Sequence, residues 1–233
     1  GIMEPLGASQ ILAYLENLSI RYKINLLTYE KINDLNNYKK VNAFEKKIKK
    51  MGIFWQKKRY HKFNRNLSSI IDIINGIISC AYLILKKNII VIHIRSYLPG
   101  VIAYLFIVFF NIKLVFDMRG FWADEKVDRA GLGKESFTYK FLKFIEKKLL
   151  FRSAAIICLT NESIEILQKK YPLLSKSKFY YIPTCVDTEL FKPLNSNIKP
   201  KNRIIFAYLG STDTAYNIKP VLKLFLYTLK KNK

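Results

Sequence analysis

The sequence predicts an α/β protein built on a doubly wound parallel sheet. Short runs rich in β-branched and aromatic residues alternate along the chain with longer helical segments. Several of these runs are apolar almost throughout, as strands are when helices cover both faces of their sheet. Alternating strands and helices are joined by right-handed crossovers, which makes the strands parallel.

Each predicted element rests on its local pattern. The predicted strands are the apolar or alternating runs, at residues 24–29, 89–94, 113–117, 154–159, 179–182 and 203–209. The predicted helices lie between strands, at residues 8–19, 67–86, 100–110, 136–151 and 162–171. Asn161 can cap the last of these helices, and Pro172 ends it.

The helix 67–86 raises the question of a membrane span. Residues 67–85 contain Asp72 as their only charge and are about as long as a span requires. The polar residues fall on one helical stripe, at Ser68, Asp72, Asn75 and Ser79. The opposite face is apolar, so we interpret the segment as a helix whose apolar face packs on the sheet. Residues 99–112 are too short to cross and are interpreted as a buried helix.

The charge balance points to an anionic partner. Forty Lys and Arg residues face seventeen Asp and Glu residues, which gives a net charge of +23. The three cysteines are too few and too scattered for a disulfide framework or a zinc site. Known phosphate-loop, dinucleotide and metalloprotease motifs are missing from the sequence. We therefore expect no metal and no bound cofactor, and the opening residues carry no secretory signal.

The chain is expected to comprise one domain and the beginning of a second. Residues 187–202 contain two prolines and no apolar period, which is typical of a linker. We predict a first domain at 1–190, a linker at 191–202 and the first strand of a second α/β domain within 203–233. Some thirty residues cannot form that domain alone, and no strand precedes the helix 8–19. We therefore expect a chain truncated at both ends.

Candidate site residues follow the predicted strands. In open parallel sheets, ligands bind beyond the carboxyl ends of the strands. One histidine and two arginines at two such ends indicate a site for an anion or a hydroxyl group: His93, Arg95 and Arg119. His93 fits a structural role equally well. Asp117 fits either a general base or a partner that orients Arg119.

A basic stretch at residues 39–65 suggests a surface role. It holds eleven Lys and Arg residues with apolar residues between them, and Glu45 is its only acid. Such a mixture predicts an interfacial segment on anionic lipid, with these residues as contacts: Lys46, Lys47, Lys49, Lys50, Trp55, Lys57, Lys58 and Arg59. A solvated face of a lysine-rich protein is the alternative. A nucleic-acid patch is a weaker one, because no nucleic-acid motif accompanies the charge.

Three segments resemble those of family 4 glycosyltransferases of the GT-B fold: EPLGASQILAY (4–14), FDMRGFWADE (116–125) and IPTCVDTELF (182–191). The last is similar to the family's I-P-N-G-V-D-x-x-x-F signature, with Thr184 and Cys185 in place of Asn-Gly. Many relatives carry a His after the strand that corresponds to 113–117. This chain has Asp117, Met118 and Arg119 there, which departs from a histidine-based mechanism.

The resemblance implies two Rossmann-like domains facing across a cleft, with retaining transfer and no metal. It implies donor binding at Gly210 and Ser211, and from the strand-end positions we predict catalysis at Asp117 and Arg119. The acceptor site predicted from the strand ends and the resembling segments comprises Gly7, Ser9, Gln10, His93, Arg95, Ser96, Gly120, Trp122, Asp124 and Thr160. Trp122 fits a platform for a sugar ring or a core residue. The family's donor-binding E-x7-E motif does not occur in this sequence, so no residue is assigned to it.

The leading hypothesis is a bacterial glycosyltransferase that transfers a sugar from a nucleotide-sugar to a glycan or lipid-linked acceptor. It would serve cell-surface polysaccharide or lipopolysaccharide biosynthesis, as a peripheral protein on the inner face of the cytoplasmic membrane. No nucleic-acid partner is expected. The alternatives are a nucleotide-sugar epimerase of similar architecture and a non-catalytic basic module that binds membrane surfaces.

Overall fold

A computed structural model describes residues 1–62, 65–131, 133–189, 191–192, 207–209 and 218–231. The chain divides into two compact units, Gly1–Val186 and Asp187–Lys233. Of the predicted strand 203–209, only residues 207–209 are described, and they form no strand. The predicted donor-binding residues Gly210 and Ser211 lie outside the described residues. The predicted linker and second domain stay a prediction.

The first unit is an α/β structure, as predicted. Its strands are β1 (Asn25–Glu30), β2 (Phe54–Arg59), β3 (Val91–Arg95), β4 (Lys113–Met118), β5 (Ala155–Cys158) and β6 (Phe179–Tyr181). Its helices are α1 (Pro5–Gly7), α2 (Ala13–Ser19), α3 (Ile32–Leu35), α4 (Tyr38–Lys50), α5 (Arg65–Lys87), α6 (Tyr97–Phe109), α7 (Trp122–Ala130), α8 (Phe137–Arg152) and α9 (Asn161–Lys170). A π-helical stretch, Ala8–Leu12, joins α1 to α2, and α10 (Ile218–Lys231) belongs to the second unit.

The strands form two parallel sheets, one of β1 and β2 and one in the order β3-β4-β5-β6. Helices cover both faces. On one face α2 and α4 pack through Leu12, Leu15 and Ile48. On the other, α5 and α6 meet around Ile84 and Ile102. The core of the larger sheet fills the space beneath α6 and α8, with Phe116, Leu149, Leu150 and Ile156 all fully buried.

A gap separates β1 from β3 within the described part of the chain. The carbonyl of Ile24 accepts from the N–H of Phe54, and the carbonyl of Glu30 accepts from Tyr60. Neighbouring residues of a strand point their backbone groups to opposite sides. The other residues of β1 therefore turn their N–H and C=O groups away from β2, at Asn25, Leu27 and Tyr29.

The facing edge of β3 is open in the same way. The carbonyl of Ile90 accepts from the N–H of Lys113, so alternate residues of β3 face β4. The remaining ones, Val91, His93 and Arg95, turn their backbone groups away from it. Consecutive residues of both strands line one cavity of ≈ 320 Å³ between the sheets, at 24–27 and 91–94. The walls of this gap are thus two parallel strand edges.

The basic stretch 39–65 folds into α4 and β2, which the sequence analysis missed. Its buried apolar residues are Val41, Ile48 and Ile53, and Phe44, Met51 and Trp55 pack against the same cluster. The Trp55 ring N–H donates to Thr28 Oγ1 at 2.8 Å. Most apolar residues of the stretch therefore serve the core. A membrane role of its lysines stays a prediction.

Helix α5 lies the other way round from our expectation. Its polar residues Ser68, Asp72 and Ser79 are buried, whereas Ile74 and Ile78 are 51% and 62% exposed. The predicted packing of the apolar face on the sheet is therefore wrong.

The buried polar groups of α5 have partners. The Asp72 carboxylate accepts from the backbone N–H of His61 at 3.2 Å and lies 2.6 Å from its ring Nδ1. The Tyr29 hydroxyl donates to the carbonyl of Asp72, and Ser79 donates to the carbonyl of Asn75. Hydrogen bonding removes the desolvation cost that would otherwise keep these groups at the surface. By length and composition alone, Leu67–Lys87 also meets the criteria for a membrane span, as core helices of soluble proteins can.

Candidate active site

The candidate site lies where β3 and β4 end. Arg95 and Asp117 are register partners in the parallel pair, and Arg119 follows two residues later. The Asp117 side chain is only 5% exposed. Its Oδ2 lies 4.0 Å from Arg95 Nε, and its Oδ1 lies 3.9 Å from Arg119 Nη1. Oδ1 has no hydrogen-bond partner among the described residues. A buried carboxylate is therefore held between two guanidinium groups, with one oxygen uncommitted.

Gln10 connects both arginines to the amino-terminal helices. Arg95 Nη1 donates to the Gln10 carbonyl at 2.7 Å, and Arg95 Nη2 donates to Gln10 Oε1 at 2.6 Å. Arg119 Nη2 reaches the same Oε1 at 3.2 Å and Thr184 Oγ1 at 3.2 Å. Arg95 Nη1 also donates to the Tyr14 hydroxyl at 2.9 Å. The predicted residues Gln10, Arg95 and Arg119 thus meet in one network.

Two members of this network, Tyr14 and Thr184, escaped the sequence analysis. Tyr14 lies four positions after Gln10, which places both on one helical face, so that spacing was an available signal. Thr184 is one of the two residues that depart from the family signature. No local pattern indicated that it would reach Arg119.

A cavity of ≈ 500 Å³ opens beside the two arginines. Its walls include His93, Arg95, Ser96, Asp117 and Arg119. Two guanidinium groups against one carboxylate leave these walls with a positive charge. Such a cavity favours anions and hydroxyl-bearing ligands, because arginine donates several hydrogen bonds in a fixed fork.

His93 projects into this cavity and into the gap between the sheets. The residue is exposed to solvent, and the cavity walls around it partly desolvate the ring. Desolvation lowers the pKa of His93, while the negative charge of Asp117 acts in the opposite direction and the positive charge of Arg95 adds to the lowering. The imidazole is therefore neutral at pH 7 and can accept or donate a hydrogen bond.

Ser96 turns the chain from β3 into α6 with a φ of 74°, a conformation that is rare for residues other than glycine. Its N–H donates to the Asp117 carbonyl at 3.1 Å. This bond ties the turn to the end of β4. Local strain of this kind concentrates at functional sites, which is consistent with the position of Ser96 at the cavity wall.

A second cavity, of ≈ 640 Å³, lies beyond β4 and β5. Arg119 lines both cavities, and the predicted residues Gly120, Asp124 and Thr160 line this one. The Thr160 side chain also caps α9 by accepting from the N–H of Ser163 at 3.1 Å. The sequence-predicted acceptor residues are thus divided between two neighbouring cavities that share Arg119.

A network of ionised side chains lies behind the wall of the second cavity. Lys143 Nζ donates to Asp124 Oδ2 at 2.9 Å and also pairs with Glu146, which is fully buried. Glu146 accepts from the Tyr97 hydroxyl at 2.8 Å, and that hydroxyl lies 3.2 Å from the carbonyl oxygen of Gly120. The network therefore fixes the loop that carries Gly120. Glu146 is the only acidic residue of α8, a signal that the sequence analysis did not use.

Both oxygens of Asp124 are engaged, since the Tyr139 hydroxyl donates to Oδ1 at 2.7 Å. Burial acts to raise the pKa of Asp124, but the hydrogen bonds from Lys143 and Tyr139 outweigh it and lower the pKa. Asp124 is therefore a charged wall residue with a structural task. Whether it also contacts an acceptor stays a prediction.

Trp122 is the first residue of α7. Its ring stacks on Tyr97, with 5.7 Å between ring centroids, and Lys126 Nζ lies 3.9 Å from its centroid. It is absent from the linings of both cavities at the site. Of the two roles considered, the structure gives it the packing one. A sugar contact stays a prediction.

The remaining predicted residues, Gly7 and Ser9, belong to the opening turn. Gly7 is buried, and a Cβ there would lie 2.3 Å from the carbonyl oxygen of Gly1. The Ser9 hydroxyl donates to the Pro5 carbonyl at 2.9 Å. Glu30, fully buried, accepts from the N–H groups of Ile2 and Met3. Both predicted residues shape this turn, and neither lines either of the two cavities at the site.

No group of three or more His, Cys, Asp or Glu side chains comes together within the described ranges. The absence of metal and cofactor from the reaction remains a prediction.

Sequence comparison identifies the family. The pattern of Glycosyltransferase Family 4 matches residues 45–190, which is more than half of the chain. The chain belongs to Glycosyltransferase Family 4. No curated protein matches it in sequence.

A solved structure, the crystal structure of a glycosyltransferase from Rickettsia africae ESF-5, is similar to this chain. The sequence identity is 18% and the TM-score is 0.44. The similarity covers 76% of this chain and 47% of that one. The chain thus spans about half the length of that structure.

Proposed function

We propose that this chain forms the acceptor-binding part of a glycosyltransferase that moves a sugar from a nucleotide-sugar to a glycan or lipid-linked acceptor. The observation that carries the proposal is the carboxylate of Asp117 held between Arg95 and Arg119 at the carboxyl ends of two parallel strands. Ligands bind at such ends, and this one combines a candidate base with two anion-binding groups.

Each group has a task in the proposed reaction. The bond between the anomeric carbon and the diphosphate oxygen breaks, and an acceptor hydroxyl forms the new bond. Arg119, which lines both cavities, stabilises the negative charge that builds on the departing diphosphate. Asp117 either accepts the hydroxyl proton, or orients Arg119 while that proton passes to the departing diphosphate oxygen. We propose transfer with retention and without a metal ion, in the synthesis of cell-surface polysaccharide or lipopolysaccharide.

The net charge of +23 supports a location on an anionic surface. We propose a peripheral position on the inner face of a bacterial cytoplasmic membrane, where a lipid-linked acceptor is found. Nucleic acid is not a proposed partner.

The test is turnover by an enzyme in which this chain is followed by a donor-binding domain. Arg119→Ala should lower kcat/KM by about 10²-fold or more, a loss comparable to that of one group that stabilises transition-state charge. Arg21→Ala, at an exposed position just after α2, is the control and should leave turnover unchanged. Equal kcat/KM for Arg119→Ala and the parent would contradict the role of Arg119.

Product analysis separates the enzyme classes. A glycosyltransferase needs an acceptor to form its glycoside, whereas an epimerase converts the nucleotide-sugar on its own. If the nucleotide-sugar is converted into its epimer in the absence of an acceptor, the protein is an epimerase and our proposal is wrong.

A further inference from the structure

The helices on one side of the sheet expose apolar side chains outward. On α5 these form a continuous stripe: Leu67, Ile70, Ile74, Ile78, Tyr82 and Leu85. Each is about half exposed or more, although core-facing residues on the same helix are buried. A monomeric soluble protein rarely exposes such a contiguous stripe unless it binds something.

The stripe continues onto two neighbouring helices. A Cβ on Gly76 would lie 2.3 Å from Ile102, and one on Gly100 would lie 2.4 Å from Leu149, so α5, α6 and α8 pack closely side by side. The other two helices also expose large apolar residues: Leu105, Val108, Phe109, Phe137, Phe141, Phe144 and Phe151. We call the outer faces of α5, α6 and α8 together the helix-layer surface.

Acidic groups are missing from the three helices that form this surface, apart from two that point inward. Asp72 on α5 and Glu146 on α8 are both buried, and α6 contains no acid. Lys147 and Lys148 are exposed, and Lys148 Nζ lies 5.3 Å from the centroid of the Phe144 ring. The helix-layer surface therefore combines apolar and aromatic side chains with positive charge.

We propose that the helix-layer surface docks on an anionic lipid bilayer, lying in its interface without crossing it. Apolar and aromatic residues mixed with lysine match the two components of such an interface, the acyl boundary and the anionic headgroups. The choice of a bilayer over a protein partner rests on this charge complementarity and on the proposed membrane location. The proposal deepens that function by naming the surface.

The basic face of α4 cannot share this contact. The connection from β1 to β2 runs away from β3, whereas the connection from β2 through α5 runs back towards it. With right-handed crossovers, α4 and α5 then lie on opposite faces of the sheet. The core clusters agree, because α4 packs with α2 and α5 packs with α6. Only one of the two surfaces can lie on a flat bilayer.

Sedimentation with vesicles tests the proposal. We would use the full chain and vesicles of 70% phosphatidylcholine and 30% phosphatidylglycerol. The double variant Lys147→Glu, Lys148→Glu should lower the partition coefficient by about 25-fold or more, since the loss of each basic residue at the surface costs about fivefold and the glutamates add repulsion. The control, Lys46→Glu with Lys50→Glu on α4, has the same net charge and should bind like the parent chain.

A second pair tests the apolar component. Ile74→Gln with Ile78→Gln should weaken vesicle binding by tenfold or more. The control, Ile20→Gln with Leu173→Gln, replaces two residues that are 81% and 89% exposed and lie outside the helix-layer surface. It should bind like the parent chain. Circular dichroism melting would confirm that all four variants fold.

Three results would overturn the proposal: no vesicle binding by the parent chain, equal losses for the α4 and α8 charge pairs, or full binding by the Ile74 and Ile78 variant. None of these depends on catalysis. Failure of the docking proposal is therefore separate from failure of the glycosyltransferase proposal, which turnover measures. A stable complex with a protein that covers α5, with no vesicle binding, would replace the bilayer by that partner.

Discussion

The buried carboxylate of Asp117 lies 3.9 Å from the guanidinium of Arg119, within ion-pair reach but beyond hydrogen-bond distance. Oδ1 has no hydrogen-bond partner among the described residues, so the two side chains attract each other without a direct hydrogen bond. Oδ1 itself is buried, so a ligand in the cavity would meet the guanidinium of Arg119 first.

Removing the charge of Asp117 should strengthen anion binding. Asp117→Asn keeps the shape of the side chain but leaves Arg95 and Arg119 without the opposing charge. We expect the Kd for inorganic pyrophosphate, measured by calorimetry on this chain, to fall several-fold. Arg119→Ala should raise it. An unchanged Kd in both variants would show that anions do not bind between these groups.

Truncating Glu146 should destabilise the first unit strongly. Glu146→Ala leaves Lys143 and Tyr97 without their buried partner, and breaking a buried pair typically costs about 3–5 kcal/mol. The exposed Glu135, paired with Lys140 at the surface, provides the control: Glu135→Ala should cost less than about 1 kcal/mol. Urea unfolding measures both. Similar costs for the two variants would contradict the supporting role of Glu146.

Helix packing depends on Gly76. A Cβ there would lie 2.3 Å from Ile102 Cδ1 and 2.6 Å from the Tyr29 hydroxyl. Gly76→Ala should therefore lower the free energy of unfolding by about 1–3 kcal/mol, despite the better helix propensity of alanine. At Gly133 an added Cβ meets no atom of the described residues within 4 Å, so Gly133→Ala should change stability little. A Gly76→Ala variant as stable as the parent would show that α5 can move away from α6.

The titration of His93 should report the charge of Asp117. Desolvation lowers the pKa of His93 and Asp117 partly offsets this, so Asp117→Asn should lower the pKa further. NMR titration of the imidazole protons measures the difference. A rise of the His93 pKa in Asp117→Asn would show that the two groups do not interact as described.

The lowered pKa of His93 in the folded chain also affects stability. The His93 imidazole binds its proton more tightly in the unfolded chain than in the folded one. The free energy of unfolding therefore falls as the pH drops from about 6.5 through the lower pKa of the folded state. His93→Gln should reduce this loss, as measured by Tm between pH 7.5 and pH 5.5.

Much of the fold was predictable from sequence. The four strands of the larger sheet were predicted to within one or two residues at each end. They were recognisable because strands covered on both faces appear as apolar runs, as in 113–117. β2 and α4 were missed because their lysines dominate the pattern. Among the described residues of the stretch 39–65, the buried apolar ones are Val41, Ile48 and Ile53.

The orientation of α5 could not be read from periodicity. The apolar stripe was identified correctly, but a stripe does not state which face turns inward. The Asp72 side chain faces inward because His61, from the segment after β2, supplies hydrogen bonds to its carboxylate, while Tyr29 of β1 donates to its backbone carbonyl. Similarly, Gln10 reaches Arg95 across 85 residues of sequence, and no local pattern encodes that contact.

The open edges of β1 and β3 divide the backbone amides of each strand into two classes. Leu26 and Ile92 face neighbouring strands, whereas Leu27 and His93 face the gap. Amide protons of the first class should exchange with deuterium slowly, and those of the second class much faster, although they alternate along the same strands. A segment that pairs with both open edges would join the two sheets into one. Its binding would slow the exchange of the amides that face the gap, so the alternation along β1 and β3 would disappear.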